Sequence, residues 1–267
     1  MFKWVWVLVL SGVLLWALVG KTVPQTRSGC VPQLAHVVVV IEENHRFDQI
    51  IGNPQAPFIN GLARQGALFT EAYGVAHPSQ PNYLAWWSGS TQGVRDDVVR
   101  PGHFHGANFG TRLALLGRSV LAVEEPPVVG KHAPWVSFAE NGMLVRSTDL
   151  APPETLPALS FIVPNQRDDM HSGSVARGDA WLAQHLPRWL ARLGTRDLLI
   201  LTFDESSFGF SNHIPMVWWG PAVRPGCYDQ RVDHFNVVRT VGDALGLAPL
   251  TQAKPFFEAL SCPSASA

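Results

Sequence analysis

One serine of this sequence has the neighbours that a nucleophile for phosphorus needs. Ser79 lies in the run HPSQPNY at residues 77–83, and the carboxamide of Asn82 follows it three residues later. A hydroxyl beside an amide suits attack on a phosphorus atom while the amide holds one phosphoryl oxygen. The same residue types also form an ordinary turn that opens a helix at Asn82. Acidic residues elsewhere in the chain favour the chemical interpretation.

Three apolar runs of the sequence each end in polar and acidic residues. The runs end at residues 41, 163 and 203, and the residues that follow them are Glu42, Glu43 and Asn44; Asn165, Asp168, Asp169 and His171; and Asp204 and Glu205. If the runs are parallel strands, their carboxyl ends meet at one edge of a sheet, where ligands bind. Carboxylates gathered there repel one another unless a cation lies among them.

The acidic clusters therefore predict a divalent metal ion. The oxygen ligands predicted from residue type are Glu43, Asn44, Asp204 and Glu205. Hard oxygen ligands suit Ca²⁺, Mg²⁺ or Mn²⁺, and the histidines nearby in the sequence leave Zn²⁺ or iron open. Each carboxylate taken alone could equally be a solvated loop acid or a helix cap, so the prediction depends on all three clusters meeting.

The elements that must position these residues alternate along the chain. Apolar runs predict strands at 35–41, 68–73, 119–123, 160–163, 198–203 and 215–219, and amphipathic spacing predicts helices at 58–65, 82–87, 111–116, 178–193 and 235–245. Alternation of this kind is typical of a layered α/β domain with a mostly parallel sheet. The run at 35–41 is β-branched and uninterrupted, which favours a strand buried on both faces.

Length and charge indicate one sizeable domain that does not bind nucleic acid. The chain has 267 residues, 46% of them hydrophobic, and a formal net charge of -1. It can bury a full core, and it has no run of lysine or arginine that would displace counterions from a nucleic acid. An anionic ligand must therefore be held locally, by a metal ion or by a few donors.

The N-terminus and the cysteines predict a location outside the cytoplasm, either secreted or periplasmic. Lys3 and the apolar run at 4–20 resemble a secretory signal peptide, which would leave 30–267 as the catalytic domain after a segment at 1–29. The same run could remain as an N-terminal membrane anchor. One disulfide with a free thiol and three reduced thiols are both open for Cys30, Cys227 and Cys262.

Eight motifs occur in order between about His36 and Leu247. They are VVVVIEENHRFDQIIG, APFINGLARQGALFTEAY, HPSQPNYLAWWSGST, GKHAPWVSF, FIVPNQRDDMHSGSVARGDAWL, LLILTFDESS, NHIPMVWWGPAVRPG and DHFNVVRTVGDALGL. Together they resemble the alkaline-phosphatase-like phosphoesterase family, which contains bacterial secreted acid phosphatases and phospholipase C enzymes. The chain is most similar to the short secreted acid phosphatases. The resemblance implies a three-layer α/β sandwich with a mostly parallel central sheet.

The same resemblance implies a role for each candidate residue. Ser79 would be both the nucleophile and a metal ligand, beside Glu43, Asn44, Asp204 and Glu205. Asn82 would bind a phosphoryl oxygen. Two histidines would face the phosphate and stabilise the transition state or protonate the leaving oxygen, namely His132 and His171. Three further residues would support the metal ligands or hold a second metal: Asp169, His213 and His234.

Two departures from the family pattern bear on the metal. Members of this group often have Asn where Asp168 stands, and they often carry more acids than the Ser206-Ser207-Phe208 of this chain. The charge near the metal therefore differs from that of relatives, which leaves the metal and the pH optimum open.

The predicted activity is that of a metal-dependent phosphomonoesterase of the acid phosphatase type. It would act through a covalent phosphoserine on small or lipid phosphate monoesters, phosphoinositides among them. If His132 and His171 are imidazolium ions, they would bind the extra charge of a monoester and give an acid-side optimum. The alternatives are a phospholipase C-type phosphodiesterase, for which the chain lacks a large headgroup-binding insertion, and an inactive envelope-anchored binding protein.

Overall fold

A computed structural model describes residues 31–207 and 211–262 of the chain. The predicted signal peptide or anchor and Cys30 lie outside the described residues. Within the two described ranges, no helix is both long enough and apolar enough to cross a bilayer. Cys262 is disulfide-bonded, whereas Cys227 is an exposed free thiol.

The core of the fold is an eight-stranded sheet that is mostly parallel. Its strands are β1 (His36–Glu42), β2 (Ala67–Phe69), β4 (Val120–Glu124), β5 (Leu144–Ser147), β6 (Leu159–Val163), β7 (Asp197–Phe203), β8 (Met216–Trp219) and β9 (Gly226–Tyr228). They lie in the order β5-β4-β6-β1-β7-β8-β2-β9, and only β8 runs antiparallel to its neighbours. Two short strands, β3 (Ala72–Tyr73) and β10 (Val232–Asp233), pair separately.

Within the described residues, six α-helices connect and cover these strands. They are α1 (Phe47–Ile50), α2 (Pro57–Gln65), α3 (Ser79–Ser88), α4 (Phe109–Ala114), α5 (Val175–Leu190) and α6 (His234–Ala244). Helix α2 packs on α5, and α3 packs on α6. The predicted three-layer α/β sandwich with a mostly parallel sheet is confirmed.

Strand β1 shows why the sheet forms where it does. Its residues 37–42 are all buried, because the sheet continues on both sides of the strand and helices cover it. Branched side chains such as Val39 pack well on a pleated surface that is covered on both faces.

One predicted strand is wrong in detail. The run at 68–73 divides into β2, which joins the large sheet, and β3, which pairs with β10 instead. The chain turns at residues 70–71, so one apolar run supplies two sheets. Strands β5 and β9 were not predicted. Strand β5 has no buried residues, only exposed and half-buried ones, and β9 is only three residues long.

The sheet order places the acidic residues together. Strands β6, β1 and β7 are adjacent and parallel, so their carboxyl ends share one edge of the sheet. The N–H of Glu43 donates to the carbonyl of Asp169 at 2.8 Å, and that of Asp204 donates to the carbonyl of Glu42 at 3.0 Å. Backbone hydrogen bonds therefore join the three segments directly beyond the strands.

Candidate active site

Ser79 is the first residue of helix α3, and its hydroxyl faces two carboxylates. The side chain is 1% exposed. Its Oγ lies 2.9 Å from Oε1 of Glu205 and 3.2 Å from Oε2 of Glu43, so its single proton can be donated to either. The hydroxyl opens onto a cavity of about 210 Å³ whose lining residues are Asn44, His77, Pro78, Ser79, Asp97, Lys131, His171, Glu205 and Ser206.

Asn82 supports the segment before Ser79 and does not line this cavity. Its Oδ1 accepts from the backbone N–H groups of Val75 and Ala76, at 2.9 and 3.1 Å. Its Nδ2 donates to the carbonyl of Ala76 at 2.9 Å. The carboxamide is thus committed to the backbone, which differs from the predicted contact with a phosphoryl oxygen. The helix also begins at Ser79, three residues earlier than predicted.

Three carboxylates lie around the serine with little access to water. Glu43 and Asp204 are 0% exposed, and Glu205 is 4% exposed. Burial raises the pKa of Glu43 and of Asp204 well above the ordinary values, and nearby carboxylates raise both further. Burial also raises the pKa of Glu205, against the lowering effects of Ser79 and His77. Such mutual repulsion is relieved by a cation.

Unpartnered oxygen atoms show that these residues fit a metal ion. Asn44 has a left-handed backbone, with φ of 49°, and its N–H donates to Oδ1 of Asp204 at 3.1 Å. Among the described residues, Oδ1 of Asn44 and Oδ2 of Asp204 are buried without a hydrogen-bond partner. Buried polar atoms of this kind are rare unless they bind water or an ion. The oxygens of Asn44 and Asp204 are therefore free to bind an ion, and the predicted ligands are of a type that suits one.

A second possible ligand group lies behind the first and shares Glu43 with it. Glu43, His132 and Asp169 each offer a ligand atom, and these atoms lie within 4.8 Å of one another. Nε2 of His132 is 3.1 Å from Oε1 of Glu43, and its Nδ1 is 3.6 Å from Oδ2 of Asp169. Tyr83 also donates its hydroxyl to Oε1 of Glu43. Oε2 of Glu43 therefore contacts Ser79, whereas Oε1 contacts His132 and Tyr83.

The two predicted phosphate-facing histidines differ from expectation in their charge. Burial lowers the pKa of His132 well below its ordinary value, and the charge of Lys131 lowers it further. The pKa of His171 is lowered by the same two causes. Both shifts favour the neutral ring and so act against the imidazolium form that the predicted acid-side optimum requires. His171 lines the cavity, whereas His132 is 1% exposed and stacks on Tyr83.

Two other predicted histidines take different positions. Nε2 of His234 lies 2.6 Å from the carbonyl oxygen of Asp204, directly behind that residue, and burial lowers its pKa to about 4. His213 stacks between Phe47 and Tyr73 and has its Nε2 2.8 Å from the carbonyl of Thr70. It therefore belongs to the packing beside strand β3 and not to the cavity.

Among the residues of the cavity wall that were not predicted, three are ionisable: His77, Asp97 and Lys131. Nζ of Lys131 is 3.0 Å from Oδ2 of Asp97 and 3.5 Å from Oγ of Ser79. Nδ1 of His77 contacts Oε2 of Glu205. His77 and Lys131 lie in two of the motifs that resemble the family, but the predicted site residues of those motifs were their neighbours, including Ser79 and His132. Asp97 lies in a loop with no spacing signal.

Comparison with solved structures supports the fold described above. The structure resembles that of an alkaline phosphatase superfamily protein from Vibrio parahaemolyticus, with a TM-score of 0.60, 13% identity, and coverage of 81% of this chain and 67% of that one. At that identity the likeness concerns the fold alone. It agrees with the three-layer sandwich described above.

Sequence comparison gives the family. The model of the Phosphoesterase family matches residues 53–119 and 149–248, more than half of the chain. A phosphatidylinositol-3-phosphatase of Mycobacterium tuberculosis is 39% identical, over 90% of this chain and 86% of its own length. An acid phosphatase of Aspergillus fumigatus is 30% identical, and the match covers 71% of this chain and 50% of that protein. The chain belongs to the phosphoesterase family, and it is a hydrolase that acts on phosphoric ester bonds.

The raised carboxyl pKa values predict that metal-free protein loses stability as pH rises. The pKa of Asp169 is raised to about 8, mainly by burial, so this group keeps its proton when folded and loses it on unfolding. Each such proton lowers the free energy of unfolding by about 1.4 kcal/mol per pH unit. The lowered pKa of His234 acts only below about pH 6.5, where the unfolded histidine becomes charged.

Thermal melts of chelated protein between about pH 6.5 and pH 8 isolate the carboxyl effect. We expect the melting temperature to fall across this window and a saturating divalent ion to remove most of the slope. A melting temperature that stays level or rises in the chelated protein would show that these acids are not protonated in the fold.

Proposed function

We propose that this protein is a metal-dependent phosphomonoesterase in which Ser79 is the nucleophile. The observation that carries the proposal is the position of the Ser79 hydroxyl, which faces the Glu43 and Glu205 carboxylates beside an open cavity. The hydroxyl is the hydrogen-bond partner of one oxygen of each carboxylate, but its single proton cannot satisfy both at once. A cation held by the same acids gives the arrangement its function.

The proposed ligands are the oxygen-bearing residues at and beside Ser79 that the sequence predicts. They are Glu43, Asn44, Asp204, Glu205 and Ser79 itself, with the group of Glu43, His132 and Asp169 as a candidate for a second ion. When bound, a divalent ion would supply Lewis-acid stabilisation of negative charge on oxygen. Oxygen donors suit Ca²⁺, Mg²⁺ or Mn²⁺, and the histidine of the second group suits Zn²⁺ or iron.

The side chains around the cavity suit a reaction in two displacements. In the first, Oγ of Ser79 forms a bond to phosphorus and passes its proton to the Glu43 or Glu205 carboxylate, while the bond from phosphorus to the leaving oxygen breaks and that oxygen takes up a proton from water. In the second, water attacks the phosphoserine and restores the hydroxyl as inorganic phosphate forms. His171 lines the cavity and is neutral near pH 7, so it is placed to take a proton from that water.

Lipid phosphate monoesters are the substrate class that we propose, with phosphoinositides first. The mycobacterial relative is named a phosphatidylinositol-3-phosphatase and covers most of this chain. Two valines of the loops beside the cavity are also exposed, Val98 by 59% and Val128 by 41%. Val98 follows the cavity residue Asp97, so an exposed apolar side chain lies next to the site, where a lipid substrate could contact it.

Export from the cytoplasm belongs to the same proposal. The disulfide of Cys262 is typical of an oxidising compartment. Mass analysis of protein recovered from the medium or periplasm would test it. A shortened N-terminus would indicate cleavage of the apolar segment, and recovery only from the cytoplasm would contradict export.

The preference between monoester and diester tests the proposed activity. With reconstituted protein, we expect kcat/KM for p-nitrophenyl phosphate to exceed that for its bis ester at least about tenfold, which corresponds to roughly 1.4 kcal/mol. Phosphatidylinositol 3-phosphate in vesicles should release inorganic phosphate. A reversed preference, or release of phosphocholine from phosphatidylcholine, would support a phospholipase C-type enzyme. Binding without turnover of any ester would indicate an inactive binding protein.

A further inference from the structure

The cavity has a fixed cation in its wall. Lys131 is the only lysine or arginine among the described residues that line it. Its side chain is 14% exposed, and its Nζ lies 3.5 Å from Oγ of Ser79. A phosphorus atom under attack by that oxygen would bring its non-bridging oxygens within reach of the ammonium group. Lys131 therefore lies where negative charge must be bound.

Asp97 contacts both this lysine and the backbone next to Ser79. Its Oδ2 lies 3.0 Å from Nζ of Lys131, and its Oδ1 accepts from the backbone N–H of Gln80 at 3.0 Å. Gln80 directly follows Ser79, so one carboxylate ties the lysine to the start of helix α3. The segments that carry Asp97 and Lys131 also touch, since a Cβ on Gly130 would meet Val99 at 3.1 Å. These contacts fix an otherwise flexible side chain.

We propose that Lys131, positioned by Asp97, forms the binding subsite for the second negative charge of a phosphate monoester. The inference rests on the proposed function and names what makes that site select monoesters. A monoester dianion has one more charged oxygen than a diester. A fixed ammonium in a poorly solvated cavity binds that oxygen more strongly than solvent does. Lys131 stays protonated throughout and exchanges no proton with the substrate.

The subsite also explains how an acidic cavity accepts an anion. Glu43 and Glu205 face Ser79, and Asp97 lines the same wall. A cation held by the first two would neutralise them, and the phosphoryl oxygens that it does not contact would still need a donor. Lys131 approaches Ser79 from the side of Asp97 and supplies that donor.

Substitution of the lysine should change the choice of substrate. We expect Lys131→Met to lower kcat/KM for p-nitrophenyl phosphate about a hundredfold, the usual effect of removing one donor to developing charge. The bis ester should lose less than about fivefold, because it lacks the second charge. Lys131→Arg should recover much of the monoester rate. Asp97→Asn should raise KM for the monoester more than it lowers kcat, because the lysine is retained but less well placed.

Binding of inorganic phosphate gives a test that needs no turnover. In metal-reconstituted protein, titration calorimetry should show phosphate binding weakened about tenfold or more by Lys131→Met. Lys254→Met is the matched control, since Lys254 is exposed and does not line the cavity, and it should bind phosphate normally. Circular dichroism establishes that each variant is folded.

The outcomes separate this inference from the proposed function. Equal losses on both esters, or unchanged phosphate binding in Lys131→Met, would overturn the subsite even if the wild type is an active monoesterase. If the wild type hydrolyses neither ester, the proposed function fails. A loss of phosphate binding in Lys131→Met alone would still support the subsite as an anion site.

Discussion

Replacement of Ser79 by alanine abolishes turnover without changing the fold. The hydroxyl contacts the Glu43 and Glu205 carboxylates and the Lys131 ammonium, and no backbone hydrogen bond among the described residues depends on it. Its loss removes the nucleophile and leaves the helix start intact. We expect kcat to fall at least about a thousandfold, as is usual when a covalent nucleophile is removed. Steady-state kinetics with p-nitrophenyl phosphate measure the loss, and circular dichroism checks the fold.

A second buried serine provides the matched control for this substitution. Ser160 lies within strand β6, is 0% exposed, and has no hydrogen-bond partner among the described residues. Ser160→Ala makes the same chemical change away from the cavity and should keep nearly full activity. If Ser79→Ala retained more than about a hundredth of the wild-type rate, Ser79 would not be the nucleophile.

Removal of the metal is expected to lower activity and melting temperature together. The carboxylates of Glu43, Asp204 and Glu205 are buried within one cluster, so loss of a cation restores their repulsion. A ligand that binds only the folded state stabilises it, so its removal lowers the melting temperature. Chelation followed by dialysis should abolish turnover, and one divalent ion from Ca, Mg, Mn, Zn or Fe should restore both quantities.

Two aspartates at opposite ends of strand β7 sharpen this experiment. Asp204 follows the carboxyl end of the strand, whereas Asp197 begins it and accepts from the backbone of His36 and Gly194. Both side chains are buried. Elemental analysis should show that Asp204→Asn loses bound metal and that Asp197→Asn retains it. Full activity in protein shown to be metal-free would contradict metal dependence.

The sheet and the meeting of the acidic clusters were predictable from the sequence. Buried parallel strands have continuous apolar runs, and the residues beyond β1, β6 and β7 had to share an edge once those strands were parallel neighbours. The sheet topology alone therefore predicts that Glu43, Asp169 and Asp204 lie in the same region. Strand β3 was harder to predict, because an apolar run does not show which sheet each of its ends joins.

The side-chain directions within the site were not predictable in the same way. Spacing placed Asn82 near Ser79, but only the folded backbone shows that its carboxamide is taken up by Val75 and Ala76. The charge on His132 depends on burial, which lowers its pKa, and that burial arises from tertiary packing. The pairing of Asp97 with Lys131 joins a loop residue to a short 3-10 helix, Gly130–His132, across 34 positions of the chain. Such contacts follow from loop paths that have no periodic signal.

The stereochemical course of hydrolysis tests the central claim most directly, because attack by Ser79 and then by water requires two displacements at phosphorus. The measurement uses a phosphorothioate monoester that is made chiral at phosphorus with oxygen isotopes and is hydrolysed in isotopically labelled water. Each in-line displacement inverts the phosphorus centre, so a phosphoserine route gives net retention of configuration. Net inversion would show that water attacks the substrate directly, and it would contradict the role of Ser79 as a covalent nucleophile.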